Sequence, residues 1–337
     1  MSLQERIAPT AGGVQPKSRT NWVVLVASPQ VGLSVVVVAL IAFNIATEPN
    51  FLVWANLTNV GRSLAVPLLI AGAGTLVLVT GGVDLSAGAV LGFGGILYAQ
   101  LVVAGLMSWP ALLVTIATGA AIGFFINGTL IGRLGMSFFV VTLGLGSLLR
   151  GSAFLWSDSA SIDMSTDSLA QTLGNQAIID GKIPIALLVS IGATVILWIV
   201  LRYTTFGRAV YAVGGNREAA ELSGLRTAWV IAGVYGIVSL CAAAAGVMMV
   251  GRQTLADPNA GLGIELTVAA GIMLGGVALT GGVGSIWGAA LGTLFLTLLT
   301  NTLALRGISN NWQLVVTGVI LILAVYLDRV RQRLGAS

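Results

Sequence analysis

The chain contains 48 consecutive residues without a charged side chain, 85–132, and a second charge-free run of 40 residues, 266–305. A transmembrane helix needs about 20 apolar residues to cross a hydrocarbon core of about 30 Å. Each run therefore holds two spans that fold back on each other, because one continuous helix would overshoot the bilayer. Gly105 and Pro110 mark the expected break in the first run, and the glycine-rich segment 281–284 marks it in the second.

Charge is scarce along all 337 residues, of which only 8% are charged. A soluble domain carries about a quarter of charged residues, so a soluble enzyme, a nucleic-acid-binding protein and a disordered chain are excluded. The chain has no histidine and one cysteine, Cys241. Histidine-based catalysis, an internal disulfide and a cysteine metal site are excluded as well. The sequence predicts an all-α polytopic membrane protein that binds no metal and no cofactor itself.

Hydropathy and charge together predict about ten transmembrane helices. The predicted spans are 22–46, 63–80, 85–105, 110–131, 138–156, 184–201, 228–250, 266–280, 285–304 and 312–327. Residues 1–21 and 328–337 are predicted as cytoplasmic tails on either side of a transmembrane domain, 22–327. With the N-terminus inside, eleven of the sixteen basic residues fall on the inner side and five on the outer side. Lys and Arg prefer the cytoplasmic side, which favours this orientation.

An internal repeat joins the two halves of the chain. Residues 80–92, TGGVDLSAGAVLG, return as TGGVGSIWGAALG at 280–292, with eight identities at an offset of 200. Paired glycine-interrupted segments of this kind indicate a transport pathway, because unwound backbone inside a membrane must line a cavity or be buried in protein. Glycine hairpins between packed helices would explain the repeat equally well. Both copies are expected on the same side of the membrane, unless a half-span lies between them.

Few polar side chains lie within the predicted spans. Asp84 is the one acidic residue with long apolar runs on both sides, and it could bind a sugar, hold a proton or cap a helix beginning near Leu85. Arg150 could snorkel outward or pair with a buried acid. The other side chains that could face a pathway, or instead bond neighbouring helices, are Thr80, Ser86, Asn127, Thr142, Thr300 and Asn301.

The longest predicted inner loop, 202–227, is rich in arginine and has an amphipathic pattern with Gly214-Gly215 as a turn. Asn216 can cap a short helix that has Glu218 in its first turn. A short capped helix on an inner face suits docking into a groove of a partner. An ordinary positively charged inner loop would also explain the arginines.

The string Glu218-Ala219-Ala220, with Gly224 four residues further on, resembles the EAA-type coupling loop of bacterial ABC importers. Other strings extend the resemblance to the permease subunits of monosaccharide ABC importers, the ribose, xylose, arabinose and galactose group. They include NLTNVGR at 56–62, GGVDLS at 81–86, TFGR at 205–208, PNAG at 258–261 and LAVYLD at 323–328. The matching strings cover most of the chain, and none of them is specific for one sugar.

This resemblance implies that the loop sits in a cleft of an ATPase subunit and transmits its closure. The residues implied in that contact are Arg208, Gly214, Gly215, Asn216, Glu218, Ala219, Ala220 and Gly224. It also implies a bacterial inner-membrane location, a second permease copy, an extracytoplasmic sugar-binding protein, and ATP with Mg on the ATPase chain. The chain has no GxxxxGK[ST] phosphate loop of its own.

Two functions stay open at this point. The first is an importer permease that moves a pentose or hexose by alternating access. The second is a stand-alone secondary carrier of a small polar solute with Asp84 as its ion or proton site, although such a carrier is expected to have several intramembrane acids. In the first case, the expected outer contacts of the binding protein are Glu48, Arg62, Arg252, Asp257, Glu265 and the loop 157–182.

Overall fold

The computed structural model describes residues 29–335, and most of this range is helical. In chain order the elements are α1 (Pro29–Thr47), α2 (Trp54–Val79), α3 (Ala87–Val103), α4 (Ser108–Ala121, continued by π-helical turns over Ile122–Arg133), α5 (Phe138–Trp156), β1 (Ile162–Asp163), α6 (Ser168–Gly174), β2 (Ala177–Ile178), β3 (Ile183–Pro184), α7 (Ile185–Tyr203), α8 (Thr205–Gly215), α9 (Arg217–Leu222), α10 (Thr227–Gln253), β4 (Leu255–Ala256), α11 (Ile264–Leu274), α12 (Ile286–Leu305) and α13 (Asn310–Gly335). The predicted tail 1–21 and the start of the first predicted span lie outside the described residues.

Seven of the described helices, α1, α2, α4 with its π-helical continuation, α5, α7, α10 and α12, are long and apolar enough to cross a membrane. Shorter apolar helices are α3, α11 and residues 311–326 of α13. Each predicted span contains a described helix, and the number of crossings stays a prediction. Helix α5 has the predicted bounds, whereas α2 begins at Trp54 rather than at 63. Helix α2 therefore contains Arg62, whose guanidinium donates to the carbonyl of Asn175 at 2.6 Å.

The two long charge-free runs break differently. In the first, α3 ends at Val103, Gly105 has φ 92° and α4 begins at Ser108, so the predicted break is confirmed. In the second, the predicted span 266–280 is too long, because α11 already ends at Leu274. Gly275 lies so close to the carbonyl of Gly288 that no side chain would fit. With 11 residues, α11 is about 16 Å long, too short to cross a bilayer alone.

Helices α2 and α10 form the core of the molecule. In the most apolar stretch of each of these two helices, 78% of the residues are buried, against 28% in α4, α5 and α7. The exposed apolar side chains of those three helices suit contact with lipid. Helix α3 packs on α10 through small residues, with Gly94 against Ala243 and Gly95 against Gly246. Small residues let helix backbones approach closely, which is how membrane helices gain packing energy.

The loops gather at two ends of the bundle. At the 202–227 end, Arg217 donates to the carbonyl of Gly132 at 2.7 Å and the Tyr211 hydroxyl donates to the carbonyl of Gly284 at 2.9 Å. At the 157–182 end, strand β1 pairs antiparallel with β4, and β2 pairs with β3. The two repeat segments begin side by side at the 202–227 end, where Gly281 packs on Gly81. Both copies therefore begin at the same end of the bundle, and their common side of a membrane stays a prediction.

Candidate coupling site and transport pathway

The predicted loop 202–227 is two short helices. The Thr204 hydroxyl accepts from the backbone N–H of Gly207 at 3.1 Å and caps α8. The Asn216 side chain accepts from the N–H of Ala219 at 3.0 Å, so the predicted cap of α9 is confirmed. The predicted glycine turn is wrong. Gly214 and Gly215 are the last residues of α8, and the chain bends at the extended Asn216 instead.

Polar contacts fasten α9 to its neighbours. Arg217 pairs with Glu221 at 3.1 Å, and the Thr227 hydroxyl at the start of α10 donates to the same carboxylate at 2.5 Å. These hydrogen bonds, that from Thr227 first, hold the pKa of Glu221 below its usual range. Of the eight residues implied in ATPase contact, the following are exposed: Arg208, Gly215, Asn216, Glu218, Ala219 and Gly224. Ala220 and Gly214 face the protein instead.

Three glycine-containing segments meet beneath α8, and we call their meeting point the glycine junction: residues 79–82, 214–215 and 280–284. The backbone N–H of Gly282 donates to the carbonyl of Val79 at 2.8 Å. Gly214 touches the same carbonyl so closely that any side chain there would collide with it. A side-chain carbon at Gly281 would lie 2.8 Å from the nitrogen of Gly81 and 2.9 Å from the oxygen of Gly214.

Asp84 lies in the unwound segment between α2 and α3. Helix α3 begins at Ala87, so the expectation that Asp84 caps a helix near Leu85 is wrong. Its Oδ1 instead accepts from the backbone N–H of Ser86 at 2.8 Å and from the Ser86 hydroxyl at 2.5 Å. Asn127 donates to that hydroxyl oxygen at 3.3 Å. Asp84 Oδ2 and Asn127 Oδ1 are buried and have no hydrogen-bond partner within residues 29–335.

Arg150 points into the protein rather than towards the membrane surface. Its guanidinium donates to the carbonyls of Pro258 at 2.6 Å and Ala260 at 2.7 Å, and to that of Gly88 at 3.2 Å. Neither predicted alternative is correct, because Arg150 forms no ion pair in the part of the chain that the structure describes. It ties the segment before α11 to the first turn of α3.

Glu265, in the first turn of α11, was expected at the outer surface, but the structure turns it inward. Its Oε2 is buried, has no hydrogen-bond partner in the described part of the chain, and packs on Gly88. Glu265 and Asp84 line one cavity of about 20 Å³, otherwise lined by apolar side chains such as Val238 and Ile272. That volume holds about one water molecule. The sequence feature that could have indicated this inward position is that Glu265 directly precedes the charge-free run 266–305.

The remaining predicted pathway residues do not join this group. Thr80 donates to the carbonyl of Val77 at 2.8 Å, beside the glycine junction. Thr142 and Thr300 bond within their own helices. Asn301 donates to the side chain of Asn56 at 2.8 Å, which joins α12 to α2. The structure therefore assembles Asp84, Ser86 and Asn127, with Arg150 close by, and separates the others from them.

Charges at the 157–182 end serve contacts within the chain. Glu48 pairs with Arg306 at 3.0 Å. Arg252 donates to the Ser63 hydroxyl at 2.9 Å, and Asp257 accepts from the backbone N–H of Asn259 at 2.8 Å. Their role as contacts of a binding protein stays a prediction.

These features define a polytopic membrane protein, with an interrupted helix pair at its centre and two short helices, α8 and α9, at one end. Residues 56–325 match the family described as "Branched-chain amino acid transport system / permease component", and the chain belongs to this family. No solved structure matches it.

Several relatives share most of the chain. It is 36% identical to the ribose import permease protein RbsC of Bacillus subtilis, over 89% of this chain and 92% of the relative. It is 33% identical to the L-arabinose ABC transporter permease protein AraH of Azospirillum brasilense, covering 89% and 88%. It is 32% identical to the fructose import permease protein FrcC of Rhizobium meliloti, covering 91% and 86%.

Proposed function

We propose that this chain is the permease subunit of an ABC importer and forms the membrane pathway for a monosaccharide, a pentose or hexose. The observation that carries the proposal is its similarity, along nearly the full length, to permeases named for ribose, arabinose and fructose. Since these relatives are named for both pentoses and hexoses, we assign the choice of the particular sugar to the sugar-binding partner. The mechanism is alternating access between inward-open and outward-open states.

In the proposed assembly this chain has three kinds of partner. ATPase subunits bind the exposed surface of α8 and α9, which we call the docking unit, carry ATP and Mg, and close on it. A sugar-binding protein docks at the 157–182 end, and a second copy of the permease completes the pathway as a homodimer. Ten spans place both termini and the 202–227 end in the cytoplasm, an orientation supported by the distribution of Lys and Arg.

Within the pathway, we assign solute contact to Asp84, Ser86 and Asn127, and we add Glu265. A buried acceptor without a donor costs about 1–3 kcal/mol, more when it is charged. Asp84 Oδ2, Asn127 Oδ1 and Glu265 Oε2 are three such acceptors. Sugar hydroxyls are donors that would satisfy them when the segment opens. Arg150 positions the surrounding backbone by holding three carbonyls.

The test is reconstitution. The chain is co-expressed with ATPase and binding-protein genes adjacent to its own, and uptake of labelled ribose, arabinose, fructose and allose into proteoliposomes is measured with and without ATP. We expect ATP-dependent uptake of at least one sugar. Uptake of a sugar by the permease alone, without ATP, would contradict the proposal and favour a secondary carrier.

A second arm tests the docking surface. Glu218→Arg reverses a charge on the exposed face of α9, and Asp180→Arg makes the same change at the opposite end, where its side chain is 88% exposed. We expect Glu218→Arg to abolish co-purification of the ATPase and Asp180→Arg to preserve it. Equal co-purification with both variants would remove the docking assignment.

A further inference from the structure

The glycine junction brings three stretches of backbone into contact without side chains between them. Gly214, at the end of α8, lies on the carbonyl of Val79, where α2 ends. That carbonyl also accepts the hydrogen bond from Gly282. The first copy of the internal repeat, the second copy and the docking unit therefore share one contact point, although they are more than 60 residues apart in sequence.

Two features make this contact stiff. Closely packed protein interiors have low compressibility, so a displacement of one backbone is passed to the next rather than absorbed. A second connection runs in parallel, because the Tyr211 hydroxyl of α8 donates to the carbonyl of Gly284 at 2.9 Å. Helix α8 thus holds the 280–284 turn at two points and the end of α2 at one.

We propose that the glycine junction transmits movement of the α8–α9 docking unit to both repeat turns, with Gly214 as the positioning residue. The inference rests on the proposed function, since it assumes that an ATPase moves the docking unit. Movement of the 79–82 turn is passed to the unwound segment that carries Asp84, and movement of the 280–284 turn is passed to α12. One displacement of α8 therefore acts on both halves of the pathway together.

The chain offers a matched pair of variants. Gly214→Ala inserts a methyl group against the carbonyl of Val79 and the nitrogen of Gly282. Gly192→Ala adds the same methyl in the middle of α7, away from the junction and the docking unit, where an added side-chain carbon meets no atom of the described residues within 4 Å. Both glycines are helical and neither has a positive φ, so neither substitution forces an unfavourable backbone conformation.

The readout separates transmission from docking and from folding. Both variants are purified with the ATPase, and sugar uptake per ATP hydrolysed is compared. We expect Gly214→Ala to co-purify with the ATPase normally and to hydrolyse ATP. The amount of sugar moved per ATP should fall at least about fivefold, which is the lower end of usual coupling effects. Gly192→Ala should match the wild type. Equal uptake per ATP in both variants would overturn the inference while leaving the proposed function intact.

A second measurement, the labelling of a reporter cysteine, can be made without any transported sugar. A single reporter, Val283→Cys, lies in the 280–284 turn and is 64% exposed, whereas the native Cys241 is 6% exposed. We expect ATP binding to change the rate of thiol labelling at the reporter in the Gly192→Ala background and to leave it unchanged with Gly214→Ala. If Gly214→Ala fails to assemble, Tyr211→Phe tests the same connection by removing one hydrogen bond. An ATP response identical to wild type in that variant would also contradict the proposal.

Discussion

Arg150 shows how one side chain can organise unwound backbone inside a membrane. A guanidinium presents five N–H donors in a rigid fork, which lets it hold several carbonyls, whereas an ammonium acts at a point. Arg150→Lys should therefore lower the free energy of unfolding by about 2–3 kcal/mol, the range for one lost hydrogen bond to a charged group. Thermal unfolding in detergent measures the change. Arg226→Lys, at an exposed position, is the control and should have no effect.

Glu221 makes the attachment of α9 dependent on pH. Hydrogen bonds from Thr227 and Arg217 lower its pKa in the folded chain, so this stabilisation is present above the ordinary carboxyl pKa and is lost as the pH falls through the depressed value. We expect amide hydrogen exchange in α9 to be faster in Glu221→Gln than in wild type at neutral pH. The two proteins should converge in acid below the depressed pKa. A difference that is constant with pH would show that the carboxylate charge is irrelevant.

At the scale of elements, α9 is short enough to depend on its cap. An N-cap side chain contributes about 1 kcal/mol, and α9 has only six residues. Asn216→Ala should unfold α9 in part and weaken retention of the ATPase, whereas Asn216→Asp should preserve both because aspartate caps equally well. Hydrogen exchange and co-purification measure the two effects. An intact α9 in Asn216→Ala would show that Arg217 and Glu221 suffice to hold it.

The sequence predicts full-length elements well and interrupted ones poorly. Helix α5 matches its predicted bounds because its apolar sequence, in which Arg150 is the one charged residue, ends at Trp156, where the polar residues Ser157 and Asp158 begin. Helix α11 does not, since nothing in a uniformly apolar run shows that the backbone of Gly275 must meet that of Gly288. Glu265 was misplaced for the same reason. Charge counts assign loops to sides, but they cannot show that a loop returns into the protein.

For the whole molecule, the glycine repeat had two explanations, a pathway or simple hairpins. The 80–82 and 280–284 turns are packed glycine contacts. The segment that follows the first turn carries Asp84 Oδ2, a buried acceptor without a donor among the described residues, and its place in a pathway stays a prediction. Sequence alone could not bring these turns together with Gly214. That contact depends on how α2, α8 and α12 pack in three dimensions.

The orientation of the molecule can be tested by labelling cysteines from one side of the membrane. Leu222, 84% exposed, and Ile179, 61% exposed, lie at opposite ends of α7. If α7 spans the membrane with the 202–227 end inside, Ile179→Cys should react with an impermeant maleimide in intact cells. Leu222→Cys should react only after the membrane is opened, and the buried Cys241 should contribute little background. The reverse pattern would invert the topology, and the ATPase could then not reach α9. Labelling of both positions in intact cells would mean that α7 does not cross.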